Sequence, residues 1–136
     1  MKAMGIDFGL ARIGIALSDE TKFLASPYMT LKRKGDESDI DRLLDIIKKE
    51  KVDEIVCGLP YNMQGEEQNI ASKTRAFMGK LASQTGLEIH YVDERLSSVM
   101  AEDILKNTER DWKKRKEKLD SVAASIILQD YLDIRR

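Results

Sequence analysis

The stretch MKAMGIDFGLARIGIALSDE (residues 1–20) sets two apolar runs on either side of a glycine-bearing turn. Lys2 to Phe8 is a strand ending at Gly9, and Arg12 to Ser18 is a second strand with Ile13, Ile15 and Leu17 in alternation. The intervening GLAR (residues 9–12) is short enough to close a hairpin. Asp7 stands in the first strand where a core residue belongs, and a carboxylate in that place calls for a chemical reason.

Outward from the hairpin, Phe23 to Leu31 is a third strand that Pro27 pushes to an edge or a bend. Ser38 to Lys51 is a helix, with Ser38 as N-cap and Ile40, Leu43, Leu44 and Ile47 at helical spacing. A short buried strand, Glu54 to Cys57, ends at Gly58 and Pro60. The loop YNMQGEEQN (residues 61–69) runs into a second helix from Glu67 to Thr85, closed by Gly86. LEIHYVD (residues 87–93) is a strand, and Ser97 or Ser98 starts a helix to Asn107. KNTERDWKKRKEK (residues 106–118) has little apolar content and is predicted to be mobile. The last helix runs from Leu119 to Leu132, burying Leu119, Val122, Ala123, Ile126 and Ile127. This order predicts an α/β fold, a mixed five-stranded sheet flanked by helices, as a single domain over residues 1–136. The right-handed crossover rule puts the strand at Glu54 beside the first strand and the strand at Glu88 beyond it. Functional groups in such sheets gather at the carboxyl ends of the parallel strands.

Lys and Arg total 23 against 24 Asp and Glu, so overall charge names no partner and only local clustering can. Cys57 is the single cysteine, which rules out an internal disulfide and suits a reducing cytoplasm. One Cys and one His do not make a zinc site of the usual kinds. Asp7 and Arg12 break the first apolar run, unlike a signal peptide, and no run approaches the ~20 residues that span a bilayer. The expectation is a soluble cytoplasmic protein with no membrane partner.

Asp7 lies near the carboxyl end of the first strand, Asp93 and Glu94 end the strand that starts at Leu87, and Asp120 falls in the first turn of the last helix. Two carboxylates ~4 Å apart at an effective dielectric of ~20 repel by about 4 kcal/mol, so unaided one would hold a proton. A divalent cation reverses that logic, and oxygen ligands suit Mg²⁺ or Mn²⁺. Two such ions stabilise both the attacking and the leaving oxygen of a phosphoryl displacement. Asp7, Asp93, Glu94 and Asp120 are therefore candidate metal ligands. Plainer readings stand beside this one: Asp7 as a turn residue, Asp93 and Glu94 as solvated loop charges, Asp120 as complement to the helix dipole.

GIDFGLARIGIALSD (residues 5–19), GLPYNMQGEE (residues 58–67), VDERLSS (residues 92–98) and KLDSVAASIILQDYL (residues 118–132) occur in order over nearly the whole chain. Together they closely resemble the YqgF (RuvX) family, a bacterial group of ribonuclease H-like fold. Its members are described as candidate Holliday junction resolvases and as nucleases that process the 5′ end of small-subunit (16S) ribosomal RNA precursors. The resemblance implies a metal-dependent hydrolase of nucleic-acid phosphodiesters, with Asp7, Glu94 and Asp120 as catalytic acids and Asp93 as the ambiguous neighbour of Glu94. It implies 5′-phosphate and 3′-hydroxyl products, and leaves precursor rRNA and branched DNA both open as substrate. A resolvase needs two active sites related by a two-fold axis, so a homodimer would favour the junction.

Lys106 to Lys118 carries seven basic residues against three acidic ones just before Asp120. Lys113, Lys114, Arg115 and Lys116 are candidate phosphate contacts, and Trp112 is placed to stack on a base. Arg12 and Arg95 either contact phosphate or pair with the nearby acids. Tyr61, Asn62 and Gln64 are candidates to line the same groove. The alternatives are a nucleic-acid-binding protein without turnover, and a nucleotide binder suggested by the likeness of residues 5–16 to the phosphate loop of actin-like folds. Cys57 and His90 both sit inside strands, which argues against a thiol protease dyad.

Overall fold

The computed structural model describes residues 1–60, 69–93 and 97–135. Its elements are β1 (Lys2–Phe8), β2 (Arg12–Ser18), β3 (Ala25–Lys32), α1 (Asp36–Glu50), β4 (Val52–Leu59), α2 (Asn69–Thr85), β5 (Ile89–Asp93), α3 (Ser97–Thr108) and α4 (Trp112–Ile134). The strands form one mixed sheet in the order β3-β2-β1-β4-β5. β1 is antiparallel to β2 and parallel to β4, and β4 is parallel to β5. The expected hairpin and crossover order are both present. β3 is one edge strand, and its pairing with β2 slips between Ile15 and Ala16, opposite Pro27, which has no N–H to donate to a ladder.

Residue size differs between the two faces of the sheet. Met4, Ile6, Phe8, Ile13, Ile15 and Leu17 alternate onto one face and pack against Ile40 and Leu43 of α1 and Phe77, Met78 and Leu81 of α2. Ala3 and Ala16 lie on the other face, against Ala124, Ile127 and Leu128 of α4. Gly5 and Gly14 share that small-residue face. A Cβ on Gly5 would stand 2.7 Å from Leu128 Cβ and 2.8 Å from the Ala124 carbonyl oxygen. α4 therefore lies nearly backbone to backbone on the hairpin. α3 packs on α4 through Ala101 and Leu105 against Val122, Ala123 and Ile126. No helix among the described residues is long and apolar enough to cross a membrane.

Several expected boundaries shift for physical reasons. α1 starts at Asp36, and Ser38 does not cap it. Buried Asp39 sets the start instead, its carboxylate accepting from the backbone N–H of Lys34 at 3.0 Å and of Gly35 at 3.4 Å. β4 extends beyond Glu54–Cys57 at both ends because it is covered on both faces. The largest correction concerns residues 112–118, which are helical and continuous with the last helix. Asp111 is the N-cap, accepting from Lys113 N–H at 2.9 Å and Lys114 N–H at 3.3 Å. Lys, Arg and Glu are strong helix formers and need no apolar face to extend a helix whose other end is docked.

Candidate active site

Asp7 belongs to the small-residue face of β1 and pairs across the ladder with Gly14 of β2. A Cβ on Gly14 would fall 2.0 Å from the carbonyl oxygen of Asp120 and 2.9 Å from its Cβ. Asp7 and Asp120 thus converge on one face at the carboxyl end of β1, joined through a glycine that lets the helix down onto the strand. Asp7 is half-buried, and the side chain of Asp120 is about one-fifth exposed. Asp120 lies two turns inside α4, not in its first turn. The helix-dipole role, which fades beyond the terminal turn, does not account for it.

Arg12 occupies the first position of β2 and donates from Nε to Asp120 Oδ2 at 2.6 Å. Of its two expected roles, pairing with an acid is the one this structure contains. The turn between Asp7 and Arg12 is braced from outside. Gly9 N–H donates to the Arg12 carbonyl at 2.8 Å, and Arg33 N–H to the Ala11 carbonyl at 2.9 Å. The Arg33 guanidinium reaches the Gly9 carbonyl at 3.2 Å while lying 4.6 Å from the ring centroid of Phe8 and 5.2 Å from that of Phe77. Fully buried Asp39 holds Arg33 Nε at 2.5 Å and also binds Arg42.

The other expected residues divide three ways. Asp93 ends β5 at the same sheet edge and is exposed. Tyr91 packs with the α1–α2 core and Val92 with the α4 core, so alternation puts Asp93 on the face opposite Asp7. The structure does not bring Asp93 together with Asp7 and Asp120. Glu94 and Arg95 lie outside the described residues, as do Tyr61, Asn62 and Gln64. Among the described residues, no three acidic, His or Cys side chains form a metal-sized group. Lys113, Lys114, Arg115 and Lys116 occupy the first turns of α4, on the same helix as Asp120. Trp112 is 68 % exposed rather than packed on the body, and Lys116 Nζ lies 5.9 Å from its ring centroid. Cys57 is fully buried in the α1–α2 core, whereas His90 turns the other way against Tyr131, with ring centroids 5.2 Å apart, so no thiol–imidazole dyad forms.

Gly14 and Arg33, which seat α4 and brace the turn, are the positions that sequence reasoning passed over. The signal for Gly14 was there, in the alternation of small with large residues along both hairpin strands. Arg33 carried none that tied it to the turn: its acidic partners Asp36 and Asp39 are close in sequence, but Gly9, Phe8 and Phe77 are distant.

With β1 central, a hairpin on one side, parallel strands on the other and two carboxylates at the carboxyl edge, the fold is of the ribonuclease H-like α/β class. The structure resembles Thermus thermophilus RuvC in complex with a Holliday junction substrate at a TM-score of 0.64 and 13% identity, over 99% of this chain and 95% of that one. It resembles the fowlpox virus Holliday junction resolvase at a TM-score of 0.60 and 17% identity, over 98% and 99% of the two chains. In sequence, the chain is 45% identical over 132 residues to a protein of Maridesulfovibrio salexigens named "Putative pre-16S rRNA nuclease", covering 97% of this chain and 98% of the relative. The profile of the RuvX family, described as Holliday junction resolvase, matches residues 1–134, and the chain belongs to that family.

Proposed function

We propose that residues 1–136 act as one nuclease domain that hydrolyses phosphodiester bonds in precursor 16S rRNA with the help of a divalent cation. The observation that carries this reading is the convergence of Asp7 and Asp120 across Gly14 at the carboxyl end of β1. The names of the sequence relatives favour the RNA substrate. The description of the family profile favours a four-way DNA junction and supplies the second reading.

The proposed donor set fits Mg²⁺ or Mn²⁺, because Asp7 and Asp120 offer hard carboxylate oxygens. Asp7, Asp120 and Glu94 would hold the cation, with Asp93, on the other face, as an outer partner. When bound, one or two such ions would activate a water molecule and neutralise charge on the attacking and leaving oxygens. The chain itself does the positioning. β1 fixes Asp7 in the sheet, and α4 fixes Asp120 against Gly14. Arg12 orients the Asp120 carboxylate and offsets part of the repulsion from Asp7. Water adds to phosphorus in line as the 3′ oxygen leaves, giving 5′-phosphate and 3′-hydroxyl ends. Lys113, Lys114, Arg115, Lys116 and Arg95 would neutralise substrate phosphates.

The test is cleavage of a 5′ precursor 16S rRNA fragment and of a synthetic four-way DNA junction with Mg²⁺ or Mn²⁺, by wild type and Asp7→Asn. The expected result is RNA cleavage that EDTA and Asp7→Asn both abolish. Cleavage of the junction alone by a dimeric protein would move the assignment to a resolvase. Tight binding of either substrate with no cleavage, unchanged in Asp7→Asn, would replace the nuclease with a non-catalytic binding protein.

A further inference from the structure

Where α3 meets the first turns of α4, a cavity of about 290 Å³ lies outside the acid cluster. Its α4 wall is the stripe Trp112, Arg115, Lys116 and Leu119, at helical spacing, and its α3 wall is the matching stripe Glu102, Leu105 and Lys106. Leu105 is buried and Leu119 half-buried, so the floor is apolar. The exposed indole of Trp112 forms one side, and three basic groups face one acidic group around it.

A large exposed aromatic at the mouth of an apolar slot is costly for a protein that leaves it in water, and cations at the rim point to an anionic ligand. A flat ring carried on a phosphate chain satisfies both features. The indole supplies a stacking face, the leucines desolvate the ring, and Lys106, Arg115 and Lys116 meet the flanking phosphates. A base inside a duplex is already stacked on both faces and cannot enter. We infer that the α3–α4 cavity is a capture site for one unpaired nucleobase of the substrate strand, with Trp112 as its stacking platform. The inference rests on the nuclease reading for the identity of the strand, and it makes single-stranded character a requirement for tight binding.

Trp112 is the sole tryptophan, so its fluorescence reports the cavity directly. The experiment titrates Asp7→Asn protein, which holds substrate uncut, with single-stranded RNA, single-stranded DNA and a duplex of the same length. Saturable quenching by single strands and none by duplex is expected. In a labelled-oligonucleotide assay, Trp112→Ala should weaken single-strand binding roughly 5- to 150-fold and leave duplex binding unchanged. Trp112→Phe should restore most of the loss. Should Trp112→Ala fail to fold, Lys106→Gln and Lys116→Gln carry the test, each lowering the salt dependence of single-strand affinity by about one unit of slope. Equal quenching by duplex, or single-strand affinity unmoved by Trp112→Ala, overturns the site. Quenching without cleavage by wild type supports the capture site and overturns the nuclease; cleavage without quenching does the reverse.

Discussion

Gly14 and Asp120 touch through their main chains: a methyl group on Gly14 would sit 2.0 Å from the Asp120 carbonyl oxygen and 2.3 Å from its carbonyl carbon. Neither side can yield by turning a side chain. Gly14→Ala should therefore cost about 3 kcal/mol or more, at or above the top of the usual range for overpacking. Urea unfolding checks this, with Gly79→Ala as the contrast. Gly79 is an exposed helical glycine with open space around it, and its replacement should stabilise by roughly 0.5–1 kcal/mol. Equal effects of the two substitutions would refute the close crossing.

Arg12 and Asp120 form an ion pair open to solvent, since nearly half of the arginine side chain is exposed. Arg12→Gln should change stability by less than about 1 kcal/mol. Cleavage should fall on the order of 10- to 100-fold, because the Asp120 carboxylate loses its orientation. A fall in kcat at unchanged KM identifies a positioning role. A rise in KM with a shallower salt dependence would instead identify a phosphate contact.

Asp39 is a fully buried carboxylate shared by Arg33 and Arg42. Asp39→Ala removes the carboxylate that both guanidinium groups share and leaves Arg33 with Asp36 alone, at 2.6 Å, at a cost of roughly 3 kcal/mol. The brace on residues 9–11 loosens with it. Proteolysis and hydrogen exchange in the hairpin turn should rise in this variant even under conditions where the rest of the chain stays folded. Protection identical to wild type at Gly9 to Ala11 would sink the bracing role.

Stability should fall on both sides of neutral pH. Burial pushes the Asp39 carboxyl up, but hydrogen bonds from Arg33, Lys34 N–H, Arg42 and Gly35 N–H outweigh it and hold the group below its ordinary 3.8. Burial also pushes Glu54 up, and Tyr131, Arg135 and Lys22 together hold it below 4.5. Depressed carboxyls contribute fully above their unfolded values, and that contribution is lost as pH drops below about 4 through the folded ones. The phenol of Tyr131 behaves oppositely. Burial, and then its 2.8 Å hydrogen bond to Glu54, push it up to about 12. Its contribution is complete below pH 10 and disappears between pH 10 and about 12. Tyr131→Phe should cost about 1 kcal/mol at neutral pH and flatten the alkaline limb. A denaturation series across pH, with tyrosinate absorbance, reads both limbs.

Much of the fold was legible because the hairpin strands alternate cleanly and the crossover rule left little freedom in strand order. Pro27 marked the edge strand for a reason that needs no tertiary information. Ser38 misled, since its hydroxyl competes with a buried carboxylate whose burial depends on Arg33 and Arg42. The start of α4 was missed because residues 112–118 lack an apolar stripe, and that stripe was the only signal used. Propensity and the Asp111 cap would have found it. Asp7 and Asp120 were singled out in sequence, but their meeting depends on Gly14, which no local pattern around either acid announces. Asp93 was grouped with them because it ends a strand at the same sheet edge, and strand alternation puts it on the other face.

α4 runs unbroken from Trp112 to Asp120, so indole and carboxylate stand on one rod about 12 Å apart along its axis. The same rod is seated on the sheet where no lateral play remains. With the proposed capture site and the proposed role of Asp120, the molecule would work as a calliper: one jaw would grip a base, the other would mark the bond, and the helical rise would set the gap between them. The expected consequence is a cut at a fixed offset from an unpaired nucleotide. Lengthening the helix by a turn ahead of Asp120 would move the break along the strand instead of abolishing it.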